Sequence, residues 1–217
     1  MAFSRVARAR YNSRMAFDAV LFDMDGVLVK SEEAWFRTVE AAGVRFRGRP
    51  ITRGEFTPTF GQGTAADIPA FGLSCTTAAL DAFYVEEFPR HLAGVWVNPE
   101  ARPLLEALAA RGVRLGLVTN TVSPLARVIL AHAGLVDFFG ALATADRVAH
   151  AKPAPDLVLL ACRELGVPPA RAYFIGDSKF DRGAAQAAGV HFVGLGLDGD
   201  TRLERLADFP LPARRRP

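Results

Sequence analysis

Apolar residues along the 217-residue chain fall into two rhythms. In the second half, short apolar runs alternate with stretches in which apolar residues recur every three or four positions, as in strands followed by helices that lie on them. Residues 19–22, 113–118, 141–144, 172–175 and 191–195 are expected as strands. Between them, residues 100–111 place Leu104, Leu105 and Leu108 on one helical face and stop at Gly112, and residues 124–133 and 156–165 repeat the plan, stopping at Gly134 and Gly166. Successive strand–helix–strand units need right-handed crossovers, so the expected fold class is α/β, a doubly wound open parallel sheet.

Residues 29–98 break this rhythm. Helical periodicity at 31–42, 64–71 and 76–88 comes without a convincing strand between. This stretch is therefore expected to be a small all-helical cap inserted after strand 1, and the sheet domain to be built from residues 17–28 and 99–217. An insert placed there hangs over the C-terminal edge of the sheet, where open α/β folds bind ligands, and is expected to act as a lid.

Composition narrows the setting. Half of the residues are hydrophobic and 23% are charged, as in a globular protein. No apolar run approaches the ~20 residues that cross a bilayer, because residues 19–22 are followed at once by Asp23 and Asp25, so no membrane association is expected. Of the two cysteines, Cys162 sits in an apolar helical run where a reduced, buried thiol is ordinary, and a cytoplasmic setting is expected. The net charge of +3 comes from arginine, since the only lysines are Lys30, Lys152 and Lys179. Much of the surplus lies in a basic leader, residues 1–16, and at Arg214, Arg215 and Arg216. The leader holds arginine and serine but no acid, a composition shared by transit peptides, misplaced starts and disordered arms. No face interleaves basic and aromatic residues, so no nucleic-acid partner is expected.

The chemistry sits where the strands end. The first runs into Asp23-Met24-Asp25-Gly26-Val27-Leu28. Side chains at i and i+2 of an extended backbone share a side, so both carboxylates point into one crevice. Two acids so close repel, and one can stay ionised while the other holds a proton. A polar turn is the alternative. A calcium loop is not, because its twelfth position would be Ala34 rather than glutamate. The next strand ends in Thr119-Asn120, where a hydroxyl and backbone N–H groups can grip phosphate oxygens or cap a helix. Lys152 lies in a loop stiffened by Pro153 and Pro155, a place suited to neutralising a transferring phosphoryl group. The fourth strand runs into Gly176-Asp177-Ser178-Lys179-Phe180-Asp181. Asp177 is a natural ligand for a hard cation, and Asp181 either orients groups nearby, caps the helix expected at 182–188, or does both.

All of these positions fall on one edge of one sheet. Their order, Asp-x-Asp-Gly-Val-Leu, Thr-Asn, Lys-Pro-x-Pro-Asp and Gly-Asp-Ser-x-x-Asp, resembles the four motifs of the haloacid dehalogenase superfamily over roughly residues 17–197. The resemblance implies that Asp23 is the nucleophile and that Asp25 protonates the leaving oxygen and then activates water. It implies that Thr119 and Asn120 grip phosphate and that Lys152 neutralises charge. It also implies a Mg²⁺ ion held by Asp23, the main-chain carbonyl of Asp25, and Asp177. The helical insert resembles the cap of the phosphoglycolate phosphatase-like subfamily, and the implied partner is a small phosphorylated metabolite.

Within the superfamily, dehalogenases lack the second acid, so Asp25 points to phosphoryl chemistry. Phosphonate hydrolases need a cap lysine for a Schiff base, and the insert's only lysine, Lys30, lies at its very start. A sugar phosphomutase shares the catalytic set and stands as the alternative; a silent binding module comes third, since no motif acid or lysine is missing. Lys30 stands where relatives often carry an acid, so no relative's substrate transfers on the motifs alone. In the insert, Arg45, Arg47, Arg49 and Arg53 could meet a substrate carboxylate or second phosphate, with Arg49 and Arg53 named as binding candidates, and Gly61-Gln62-Gly63 could form a specificity loop; a solvated helix end and a simple turn are the alternatives. Trp35 and Trp96 are expected to pack the cap and its hinge.

Overall fold

A computed structural model describes residues 17–213. The leader and Arg214–Arg216 therefore lie outside the described residues. Six parallel strands form the main sheet: β1 (Ala19–Phe22), β4 (Arg114–Thr119), β5 (Ala141–Thr144), β6 (Ala172–Gly176), β7 (His191–Leu195) and β8 (Thr201–Leu203), in the order β5-β4-β1-β6-β7-β8. The chain builds outward from β1 to β4 and β5, then returns to β1's other side with β6 and β7. β1 is thus the switch point, and the crevice at its C-terminal end is where a doubly wound sheet takes ligands.

The uninterrupted apolar run of β1 follows from burial on both faces. Ala19 and Leu21 join the cluster under α7 (Asp156–Leu165) and α8 (Lys179–Ala188), while Val20 and Phe22 join the one under α5 (Ala101–Ala109) and α6 (Ser123–Ala133). The five expected strands and three expected sheet helices are present, with ends shifted by a residue or two, where caps rather than periodicity decide. The short edge strand β8 was not expected, because three residues of alternating polarity give too little periodicity to read.

Between the sheet's first strand and α5 the chain passes through β2 (Val29–Lys30), α1 (Glu32–Arg47), α2 (Arg53–Phe56), α3 (Thr64–Phe71), α4 (Thr77–Glu87) and β3 (Trp96–Val97). The insert is therefore not all-helical as expected: β2 and β3, too short to show a period in sequence, pair antiparallel, so the chain leaves and re-enters the sheet domain through one two-strand ladder. Lys30 lies over the Trp96 ring, 5.0 Å from its centroid. α1 runs on past the expected end at Ala42, because Phe46 continues the face of Val39 and Ala42. These helices share one apolar cluster with the sheet face that carries Phe22. Among the described residues no helix is long and apolar enough to cross a membrane.

Candidate active site

The loop after β1 stays in register with the sheet for one more residue, Asp23 N–H donating to the Ile175 carbonyl at 2.9 Å. It then turns sharply at Gly26, whose φ of +90° suits glycine. A Cβ there would lie 1.8 Å from Asp177 Oδ2, so the first motif passes directly against the acid that follows β6. Gly176 plays a matching part, since a Cβ on it would stand 2.4 Å from Asp181 Cβ. Absent side chains at these two points let three carboxylates crowd one strand edge.

Lys152 reaches this edge from the loop before α7. Its ammonium donates to Asp23 Oδ1 and Asp181 Oδ1, both at 2.7 Å, and to the Val118 carbonyl at 3.2 Å. All three N–H donors are thereby used. Lys152, Asp23 and Asp181 are all buried. A buried ion triad recovers little more than its desolvation cost, so it is poorly explained as a source of stability and points to chemistry.

Asp181 serves a second partner as well. The helix begins at Lys179 with Ser178 as its N-cap, and Asp181 occupies the third helical position in a reciprocal capping box. The expectation of Asp181 as N-cap of a helix at 182–188 is corrected accordingly: a hydroxyl followed three residues later by an acid is the stronger start signal. Asp181 Oδ2 accepts from Ser178 N–H at 3.0 Å, leaving Oδ1 for Lys152.

Asp25 lies beside Asp23 and is held from the insert. Its Oδ1 accepts from Ser31 Oγ and from Trp35 Nε1, the latter at 3.2 Å. Trp35 also packs against Phe88 and Tyr84, as expected, with ring centroids 4.8 and 5.5 Å away. The hydrogen bond to Asp25 was missed in sequence. Its one signal is the i, i+4 spacing of Ser31 and Trp35 at the start of α1, next to the first motif.

Thr119 is buried at the end of β4 and lines the cavity above Asp23, its Oγ1 accepting from Thr121 N–H at 3.1 Å. Asn120 braces two loops. Its Oδ1 accepts from Lys152 N–H at 2.8 Å, and its Nδ2 donates to the carbonyls of Lys152 and Gly61 at 3.1 and 3.0 Å. The structure thus brings Asp23, Asp25, Thr119, Asn120, Lys152, Asp177 and Asp181 to one place. Arg49 and Arg53 do not join them, for neither lines the cavity. Arg53 pairs with Glu33 and lies over the Phe36 ring, Arg49 is exposed beside Glu55, and Arg47 is tied to Glu55 and the Phe71 carbonyl.

Burial and the nearby Asp181 push the Asp23 carboxyl well above the ordinary range, with Lys152 opposing. Burial, then Asp181, likewise raise Asp177 to about 7. Burial raises Asp25, while its bonds from Ser31 and Trp35 pull the other way. Burial alone would depress the Lys152 ammonium, but Asp181 and Asp23 together hold it above its usual value. One ammonium therefore faces four carboxylates. Oxygens of Asp23, Asp177 and Asp181 come within 4.8 Å of one another, a hard-donor set that fits a divalent cation. Asp181 already spends three acceptor positions on Lys152 and on the Ser178 N–H and hydroxyl, so Asp23 and Asp177 have more left to offer a cation.

The insert closes the other side of a cavity of about 60 Å³. Gly61, Gln62 and Asp67 lie in that wall, with Phe56 and Phe60 as its apolar part. Asp67, on α3, is 8% exposed; its Oδ1 accepts from Gln62 Nε2 at 2.7 Å and its Oδ2 from the Tyr84 hydroxyl at 2.9 Å. Burial raises its carboxyl to about 7, against the pull of those two bonds.

A family model described as haloacid dehalogenase-like hydrolase matches residues 17–189. A phosphoglycolate phosphatase of Rhodospirillum rubrum is 35% identical over 81% of this chain and 78% of its own length. An N-acetylmuramic acid 6-phosphate phosphatase of Pseudomonas aeruginosa is 30% identical over 82% of this chain and 80% of its own. Among solved structures, CbbY from Rhodobacter sphaeroides in complex with phosphate superposes with a TM-score of 0.79 at 26% identity, covering 88% of this chain and 96% of that one.

Proposed function

We infer that this chain, which belongs to the haloacid dehalogenase-like hydrolase family, takes phosphate from a small phosphorylated metabolite through an aspartyl-phosphate on Asp23, with Mg²⁺ as its divalent cation. It is a phosphoric monoester hydrolase whose relatives include phosphoglycolate phosphatases. The observation that carries the finer reading is the buried Asp23–Lys152–Asp181 network, set beside Asp25 and Asp177 where β1, β4 and β6 end.

Asp23 attacks phosphorus while Lys152 offsets charge on the phosphoryl oxygens, with Thr119 as a further contact. Asp25 donates a proton to the leaving oxygen, then takes one from the water that opens the aspartyl-phosphate. A Mg²⁺ ion held by Asp23, Asp177 and the Asp25 main-chain carbonyl would supply additional neutralising charge. Asn120 keeps the Lys152 loop in place. The insert excludes water as a lid hinged at the β2–β3 ladder, with Ser31 and Trp35 holding Asp25 in the closed arrangement. Two free thiols, Cys75 and Cys162, suit a cytoplasmic setting.

The phosphomutase alternative is less favoured, because a bisphosphate needs a second anion site and, among the described residues, the insert's wall brings no lysine, arginine or histidine to the cavity. Asp23→Asn is expected to lower Mg²⁺-dependent phosphate release from p-nitrophenyl phosphate or acetyl phosphate at least ~10³-fold, since the attacking carboxylate is gone. Equal activity in the variant would remove the covalent route.

A further inference from the structure

Resting on that phosphatase reading, we infer that the substrate's non-phosphate part is uncharged and hydroxyl-bearing, that Asp67 selects it, and that phosphates carrying a carboxylate are disfavoured. Two features of the cavity lead there. Lys152 is the one cation that lines it among the described residues, and its three donors are taken by Asp23, Asp181 and Val118. Nearby arginines are turned away into pairs with Glu33 and Glu55. A substrate carboxylate would find no cationic partner at the lid.

It would instead meet Asp67. A carboxylate offers about four acceptor positions, and Gln62 and Tyr84 occupy two of them. Those two donors also fix the orientation of the group, so what remains is a pre-set acceptor on the cavity wall. Substrate hydroxyls can donate to it, whereas an anion brought beside the same ionised group suffers like-charge repulsion. Phe56 and Phe60 offer an apolar surface for the carbon skeleton. The groups facing Asp67 are Gln62 on its own side and Tyr84 and Asp81 on α4, with Asp81 pushing the carboxyl further up.

The test uses the full chain with Mg²⁺ and reads kcat/KM for glycerol phosphate against phosphoglycolate and phosphoglycerate, from pH 6 to 8.5, with p-nitrophenyl phosphate as a control. Glycerol phosphate is expected to lead by about 10- to 100-fold at pH 8, the range of a hydrogen bond to a charged group. The ratio should rise with pH through about 7 as Asp67 ionises. The shared phosphate ionisation cancels from it, and a substrate carboxylate is already ionised throughout. Asp67→Asn should bring the ratio within about threefold of unity and flatten its pH dependence, one hydrogen bond's worth of discrimination having gone. A wild-type preference for the carboxylates, or a ratio unchanged in Asp67→Asn, overturns the inference. Release from none of the compounds, the control included, overturns the phosphatase reading and this inference with it.

Discussion

The two walls of the cavity are built on opposite principles. The sheet side gathers Asp23 and Lys152, with Asp177 and Asp181 behind them, from the segments that follow β1, β5 and β6, and Lys152 holds Asp23 and Asp181 in two short, buried ion pairs. The insert side gathers Trp35, Gln62, Asp67 and Tyr84 from a loop and three helices, and joins them by neutral or singly charged hydrogen bonds over an apolar layer. A strand edge repeats its geometry every 4.8 Å or so and can hold reacting groups rigidly. A set of short helices tolerates change in any member, which makes it the natural place for selectivity. The two walls are tied together through Asp25 with Ser31 and Trp35 and through Asn120 with Gly61.

That contrast can be broken from the sheet side first. Short of removing the attacking carboxylate itself, Gly26→Ala should be the most damaging change, since the new Cβ would occupy the place of Asp177 Oδ2 and the φ of +90° would be strained. A displacement of about an ångström at reacting groups costs about 10²-fold, so kcat/KM is expected to fall at least that far while circular dichroism stays close to wild type. Activity within twofold would mean that the first motif and Asp177 do not act as one unit. Asp177→Ala follows: activity should be recoverable only at ~10- to 100-fold higher Mg²⁺, as read from a metal titration. An unchanged titration would take Asp177 out of the cation site. Trp35→Phe is the gentlest, keeping the ring among Phe88 and Tyr84 but deleting the donor to Asp25. Loss of one hydrogen bond to a charged group predicts a fall in kcat of about 10-fold. No change would detach the lid from the proton-transferring acid.

Much of the sheet side was legible along the chain, and the reason is the parallel topology. Each strand end exposes its following residues at the same edge, so Asp23, Thr119 and Asp177 could be placed together before any contact was known. Asp181 was harder, because a helix start offers an acid two positions of similar merit, and only Ser178 as the actual cap decided between them. The insert resisted reading. Arg49 and Arg53 looked like anion ligands by charge alone, yet Arg53 pairs with Glu33, Arg49 stays exposed, and neither lines the cavity. Asp67 gave no signal in the sequence, since nothing local marks it out from a solvated helix acid.

By itself, then, the order of residues determined the sheet, the insertion point and the group of acids and lysine that one strand edge collects, all of them consequences of periodicities that act over a few residues. Tertiary structure alone decided which donors reach Asp25, which cations are neutralised before they reach the cavity, and that Asp67 meets Gln62 and Tyr84 across 5 and 17 residues of chain. Those outcomes depend on how non-adjacent helices pack and on where water is excluded, and neither is written in any local pattern.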